Sequence, residues 1–205
     1  HPELQEPVAI ALINNGNALV KLGRSEEGVA AYDEVINRFG NSARPELHQR
    51  VAIALVNKGA AMGKLGRSGE VIDSSDKLIQ LFGDSARLDL QERVAIALIN
   101  KGVALQDLGR REEEVAVYDE VINRYANNGG AVLQEIVARA LVDKGYALGM
   151  LKRPEEEIAA YEKVIHHFGG SARPEVQRQV IRALVYKGIT HGDLKQLEEV
   201  IATSD

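Results

Sequence analysis

From Val51 to Leu65 the apolar residues Val51, Leu55, Met62 and Leu65 fall at spacings of four, seven and three, so they share one face of a helix. Lys58 falls on that same face, at its centre. A second helical pattern runs roughly from Glu26 to Phe39, where Val29, Tyr32, Val35, Ile36 and Phe39 recur at helical spacing. The run Val-Ala-Ile-Ala-Leu-Ile at 8–13 is apolar throughout, as in a helix covered on both sides. No strand pattern is visible, so the chain reads as all-α.

The pattern repeats. Gly16, Gly59, Gly102, Gly145 and Gly188 are each 43 residues apart, as are Leu12, Leu55, Leu98, Leu141 and Leu184, and Val8, Val51, Val94, Val137 and Val180. A fixed period of this size predicts stacked supersecondary units, each too small to bury its own apolar face. Each repeat holds two helices. The first runs roughly from Glu46 to Leu65 in the second repeat, with Pro45 suited to its first turn and Glu46 favourable at the positive end of the helix dipole. Gly66-Arg67 ends it. Leu-Gly-Arg recurs at 22–24, 65–67 and 108–110, then weakens to Leu-Lys-Arg at 151–153 and Leu-Lys-Gln at 194–196. One repeat domain over 1–205 is expected, with repeats at 3–43, 46–86, 89–129, 132–172 and a truncated fifth at 175–205.

Gly16-Asn-Ala-Leu-Val-Lys-Leu-Gly23, followed nine residues later by Tyr32, resembles the tetratricopeptide repeat, with its small residue in the first helix, Leu-Gly turn and aromatic in the second helix. The match covers four complete units and a truncated fifth. It implies an α-solenoid, a right-handed superhelix of stacked antiparallel hairpins that binds a protein or peptide in a concave groove lined by first helices. This sequence departs from the family's usual 34-residue period. The extra residues are placed at the N-terminal end of the first helix, giving it ~29 Å and altering the superhelical curvature. The family's closing Pro is replaced by Gly40, Gly83, Ala126 and Gly169, and its small residue early in the second helix by Gly28, Val71, Glu114 and Glu157.

Two columns carry charge. One reads Asn15, Lys58, Lys101, Lys144, Lys187; another of the same period reads Asp33, Asp76, Asp119, Glu162. Buried ammonium groups need acidic partners. Pairing each lysine with the acid one repeat earlier satisfies all four lysines and explains Asn15, which has no earlier acid. Pairing within a repeat sets Asp33 against Asn15 and Lys187 against Ser204. The alternative is that each lysine carries its charge to the surface while its stem packs.

The adjacent column, Asn14, Asn57, Asn100, Asp143 and Tyr186, resembles the asparagine ladder of some tetratricopeptide grooves, where amides hold a peptide backbone. The competing reading is that these amides bond a neighbouring helix. The next turn on this face reads Asn17, Ala60, Val103, Tyr146, Ile189, and Ile10, Ile53 and Ile96 give way to Arg139 and Arg182. The candidate binding residues are therefore Asn14, Asn17, Asn57, Asn100, Val103, Arg139, Asp143, Tyr146, Arg182 and Tyr186. Ile13, Val56 and Ile96 occupy positions where the family's carboxylate clamp would need basic residues, which argues against recognition of a chain-terminal carboxylate. The second repeat carries Asp73-Ser74-Ser75 where others read like Ala-Ala-Tyr32, predicting a gap there or, as the favoured outcome, compensation by larger neighbours.

Composition narrows the function. The 205 residues are 45% hydrophobic and 27% charged, as in a folded soluble chain, and only 4% aromatic, so the core is built from aliphatic side chains. A net charge of −5 argues against a general nucleic-acid binder. The absence of Cys excludes disulfides, thiolate metal sites and cysteine nucleophiles, and fits a cytoplasmic setting. No apolar run suffices for a membrane span. The chain opens His1-Pro-Glu-Leu without Met or a basic-then-apolar leader, which suggests a trimmed chain or an excised fragment. Gly59 to Lys64 is one residue short of a phosphate loop, and His166 and His167 are adjacent rather than four apart, so neither predicts a ligand site. No cofactor, metal or catalytic set is expected. The reading is a non-catalytic scaffold for a protein or peptide partner. The alternatives are a structural spacer or a module that self-associates end to end through its terminal repeats, and the regulatory array of a larger enzyme.

Overall fold

The computed structural model describes residues 2–127 and 130–202. A short 3-10 turn at Pro2–Leu4 leads into α1 (Gln5–Lys21), α2 (Ser25–Phe39), α3 (Pro45–Lys64), α4 (Ser68–Phe82), α5 (Leu88–Asp107), α6 (Arg111–Tyr125), α7 (Ala131–Met150), α8 (Pro154–Phe168) and α9 (Pro174–Ala202). No strand occurs among the described residues. The fold is an all-α helical repeat of the solenoid class. The expected repeat ends at 129 and 205, and Ser204, lie outside the described residues.

Two compact units divide the chain, an N-terminal one over residues 1–109 and a C-terminal one over 110–205. Within the N-terminal unit each helix from α1 to α5 packs on the next, and α3 also packs on both α1 and α5. Within the C-terminal unit α6 to α9 pack in succession and α7 packs on α9. Leu47, Val51, Leu55, Leu90, Val94 and Leu98 form the N-terminal core, and Leu133, Val137, Leu141, Leu148 and Val164 the C-terminal one.

The hairpin turns follow from single residues. Gly23, Gly66 and Gly109 adopt φ of 80°, 70° and 71°, the left-handed region that glycine enters without steric cost. The next amide then reaches back to the helix, Arg24 N to Leu19 O at 2.9 Å and Arg67 N to Met62 O at 3.0 Å, satisfying carbonyls the helix end leaves open. Lys152 takes the same conformation at φ 57°, and Pro154 starts the following helix.

The fifth repeat departs from this pattern. No turn forms at Leu194–Gln196; α9 runs through it for 29 residues. That stretch has neither a glycine at the left-handed position nor a following proline, and Leu, Lys, Gln and Glu are all good helix formers.

The recurring tyrosine and glycine form one device. Tyr32, Tyr118 and Tyr161 are buried. A Cβ added to Gly16 would stand 2.5 Å from Cε1 of Tyr32, and one added to Gly145 would stand 2.8 Å from Cζ of Tyr161. Glycine in the first helix therefore lets the ring of the second helix lie against its backbone. The second repeat, with Ser75 in place of the ring, keeps the glycine but loses its reason. Gly59 is buried, yet a Cβ there would meet nothing within 4 Å. The expected compensation by larger neighbours does not reach this spot, and the gap persists. Ser74 and Ser75 turn their hydroxyls to backbone instead, donating to Leu55 O at 2.9 Å and Val71 O at 2.8 Å.

All four lysines bond the acid of the preceding repeat: Lys58 to Asp33 at 2.6 Å, Lys101 to Asp76 at 2.5 Å, Lys144 to Asp119 at 2.6 Å and Lys187 to Glu162 at 2.7 Å. The lysine side chains are 20–28% exposed and the acids 38–58%, so the stems pack while the charged ends meet near solvent. Pairing and partial exposure thus coexist. Such pairs are expected to set stacking register more than to add stability, because water screens their charged ends. A double-mutant cycle on Lys58 and Asp33, read by denaturant unfolding, should give a coupling of about 0.5–1 kcal/mol that falls in high salt. A coupling indistinguishable from zero in low salt would remove the pair as a register device.

Candidate functional site

The sequence-selected residues lie on the first helices of their repeats, on α1, α3 and α5 in one unit and on α7 and α9 in the other. In the N-terminal unit Asn17 and Asn57 meet. The Asn17 side-chain oxygen accepts from Asn57 Nδ2 at 2.9 Å and from the Tyr32 hydroxyl at 2.7 Å, joining α1, α2 and α3. The interhelix reading of the amides therefore holds for this pair, while Asn57 keeps its own carbonyl and a second N–H for other contacts. Beside them is a shallow recess of about 230 Å³ lined by Val20, Lys21, Ala60 and Lys64 as well as both amides. Asn14 and Val103 are exposed and Asn100 half-buried. The structure links neither Asn14 nor Asn100 to the Asn17–Asn57 pair.

The C-terminal unit gathers the remaining five. Asp143 is bonded by Arg182 at 2.8 Å and Arg139 at 3.3 Å, so both guanidiniums are tied to one carboxylate. Arg182 also lies 5.8 Å from the centre of the Tyr186 ring. Tyr186 stands between two other rings, 6.2 Å from Tyr146 and 5.8 Å from Tyr161, tilted as aromatic pairs prefer.

These rings open onto a cleft of about 690 Å³ between α7, α8 and α9. Met150, Ile189 and Leu194 give it apolar walls, and Glu157, Thr190 and Asp193 add polar groups. Glu157 Oε1 accepts from Thr190 Oγ1 at 2.9 Å and from the Tyr161 hydroxyl at 3.2 Å. Burial pushes the Tyr161 hydroxyl well above its ordinary pKa, and the neighbouring Glu157 charge pushes it further, so it remains a donor. Tyr146 is exposed, and a side chain at Gly149 would crowd the Glu157 carboxylate.

Sequence reasoning selected Tyr146 and Tyr186 but not Glu157, Met150, Thr190 or Leu194. The signal for Glu157 was present, since an acid stands there in a column that opens with Gly28. Its meaning depended on which hydroxyls would reach it from α8 and α9. Among the described residues no group of three His, Asp or Glu side chains is placed to hold a metal, and no helix is long and apolar enough to cross a membrane.

Comparison with known proteins bears on the fold. Residues 95–128 match the tetratricopeptide repeat family model, a 34-residue window shorter than the 43-residue spacing of the sequence columns. No curated protein matches the chain. The structure of a putative kinesin light chain from Podosopora anserina with nearly identical TPR-like repeats is similar at a TM-score of 0.65 and 16% identity, over 97% of this chain and 95% of that one. A MamA RS-1 double mutant is similar at a TM-score of 0.59 and 16% identity, over 96% of each chain. An engineered protein is similar at 0.52 and 22% identity, over 93% of this chain and 75% of that one. Repeating helix pairs, one matched tetratricopeptide repeat over residues 95–128 and these structural likenesses agree on the fold: the chain is an all-α helical repeat similar to tetratricopeptide-repeat solenoids.

Proposed function

We propose that the chain is a non-catalytic scaffold that binds a peptide or protein partner on the faces of its first helices. The family as a whole suits protein–protein interaction. The observation that carries the finer reading is the cleft of about 690 Å³ in the C-terminal unit, whose walls hold the sequence-selected Tyr146 and Tyr186. An exposed ring such as Tyr146, beside the half-buried Tyr186 in an apolar recess, buries much contact area at low entropic cost. In the N-terminal unit, Asn57 and Asn100 supply amides able to pair with an extended backbone. The absence of cysteine fits a cytoplasmic setting for this role.

Capture of partners from a peptide array tests it, comparing the parent chain with Tyr146→Ala and with Asn57→Ala plus Asn100→Ala. Both variants should keep the helical signal of the parent and lose bound peptides, by roughly tenfold in affinity for the tyrosine variant. Unchanged capture by folded variants would remove these faces as the binding surface.

A second reading, end-to-end self-association through the terminal repeats, draws on exposed apolar residues at both ends. Leu4 is 58% exposed where Leu47 and Leu133 are 0%, and Leu184 is 53% exposed where Leu55 is 2%. Light scattering over a concentration series decides it: a mass that stays monomeric throughout excludes the assembly.

A further inference from the structure

We infer that the cleft of the C-terminal unit takes a cationic side chain, lysine or arginine, carried by an otherwise apolar peptide segment. The inference rests on the reading of this face as a binding surface and names the chemistry it selects.

The reason lies in a comparison of α6 with α8. Glu114 on α6 is fully buried and pairs with Arg111, three residues earlier, at 2.7 Å. The corresponding residues on α8 are Glu157 and Pro154. Proline supplies no charge, so Glu157 receives no guanidinium from its own helix. Two hydroxyls take that place: Tyr161 donates to Oε1, and Thr190 lies 2.9 Å from the same oxygen, its one proton shared with the Tyr186 carbonyl at 3.0 Å. Hydroxyls solvate a carboxylate without cancelling its charge. Among the described residues Glu157 has no lysine or arginine within ion-pair distance; Arg182 is held by Asp143, and Lys152, an exposed residue of the lining, makes no ion pair with it. A half-buried carboxylate facing an apolar recess favours a counter-charge from outside.

The surroundings fit one kind of cation. Tyr146 and Tyr186 line the cleft, and aromatic rings attract ammonium and guanidinium groups, as Tyr186 already does with Arg182. Asp193 adds a second carboxylate to the lining, while Ile189, Met150 and Leu194 offer apolar surface to the methylene stem and to flanking apolar residues. Gly149 makes the approach feasible, because a Cβ there would stand 2.7 Å from Oε2 of Glu157.

Small probes isolate this chemistry. The full chain, labelled with nitrogen-15, is titrated with n-butylguanidinium, n-butylammonium and, as the uncharged control, 1-butanol, following the amides of Gly149, Glu157 and Thr190. The cations should bind at least about tenfold more tightly than butanol, the worth of one charge-assisted contact. Glu157→Gln should reduce them to the level of butanol. Pro154→Arg, which rebuilds the pair seen on α6, should do the same with Glu157 in place. Cations that bind no better than butanol, that keep their advantage in Glu157→Gln, or that shift surface amides while leaving these three unmoved would overturn the inference. Peptide capture that depends on Tyr146 is read separately, so failure here with capture intact removes the cation and leaves the binding face.

Discussion

Alanine at Gly145 destabilises the protein by about 1–3 kcal/mol, whereas alanine at Gly59, in the same repeat column, stabilises it by about 1 kcal/mol. Both glycines sit inside a twenty-residue first helix, where alanine is intrinsically the better residue. What separates them is the second helix. At Gly145 the new methyl would lie 2.8 Å from Cζ of the fully buried Tyr161, whose ring supplies its three nearest atoms. The ring must shift and take its bond to Glu157 with it. At Gly59 the methyl enters empty space, because Ser75 has replaced the ring and bonds its own helix. Gly16, set against Tyr32, behaves like Gly145. Thermal melts of the three single variants check the order, with shifts of about 2–4 °C per kcal/mol for a chain of this size. Gly145→Ala melting with or above the parent would show that the tyrosine does not require the glycine.

The contrast also marks how far sequence reasoning reaches. Periodicity places the helices because burying one stripe per helix leaves few other solutions, and the lysine–acid pairs follow from counting partners. Both depend on residue identities at fixed offsets. The hollow at Gly59 depends on whether neighbours relax into it, which is a matter of packing and not of pattern. Helix α9 failed expectation for a related reason. A weakened turn signal still made a turn at Lys152, where Pro154 follows, but none at Lys195, where nothing stops the helix. For the candidate site, Tyr186 was legible as a break in the amide column and Tyr146 as a member of the next turn on the same face. The cleft was not, because its polar lining needs Thr190 of α9 to meet Glu157 of α8.

Arg111→Ala should cost about 3 kcal/mol, the largest loss expected from any surface-reaching side chain here. Glu114 is entirely buried, and Arg111, 22% exposed, bonds its Oε2 at 2.7 Å from one turn away on the same helix. An exposed pair at this spacing contributes little, because water competes for both charges, as it does at Arg24–Glu27. Burial changes the outcome, since truncating the arginine takes a counter-charge at 2.7 Å from a carboxylate that is fully buried. Removing both charges avoids that penalty, so Arg111→Met with Glu114→Leu should lie within about 1 kcal/mol of the parent. Urea unfolding of the two single variants and the double variant gives the comparison. A loss below about 1 kcal/mol for Arg111→Ala would mean that the remaining contacts of Glu114 suffice to hold its charge. The same test then bears on Glu157, which holds its carboxylate with hydroxyls alone and is spared the cost by opening onto a cleft, where solvent or a cationic partner can reach it.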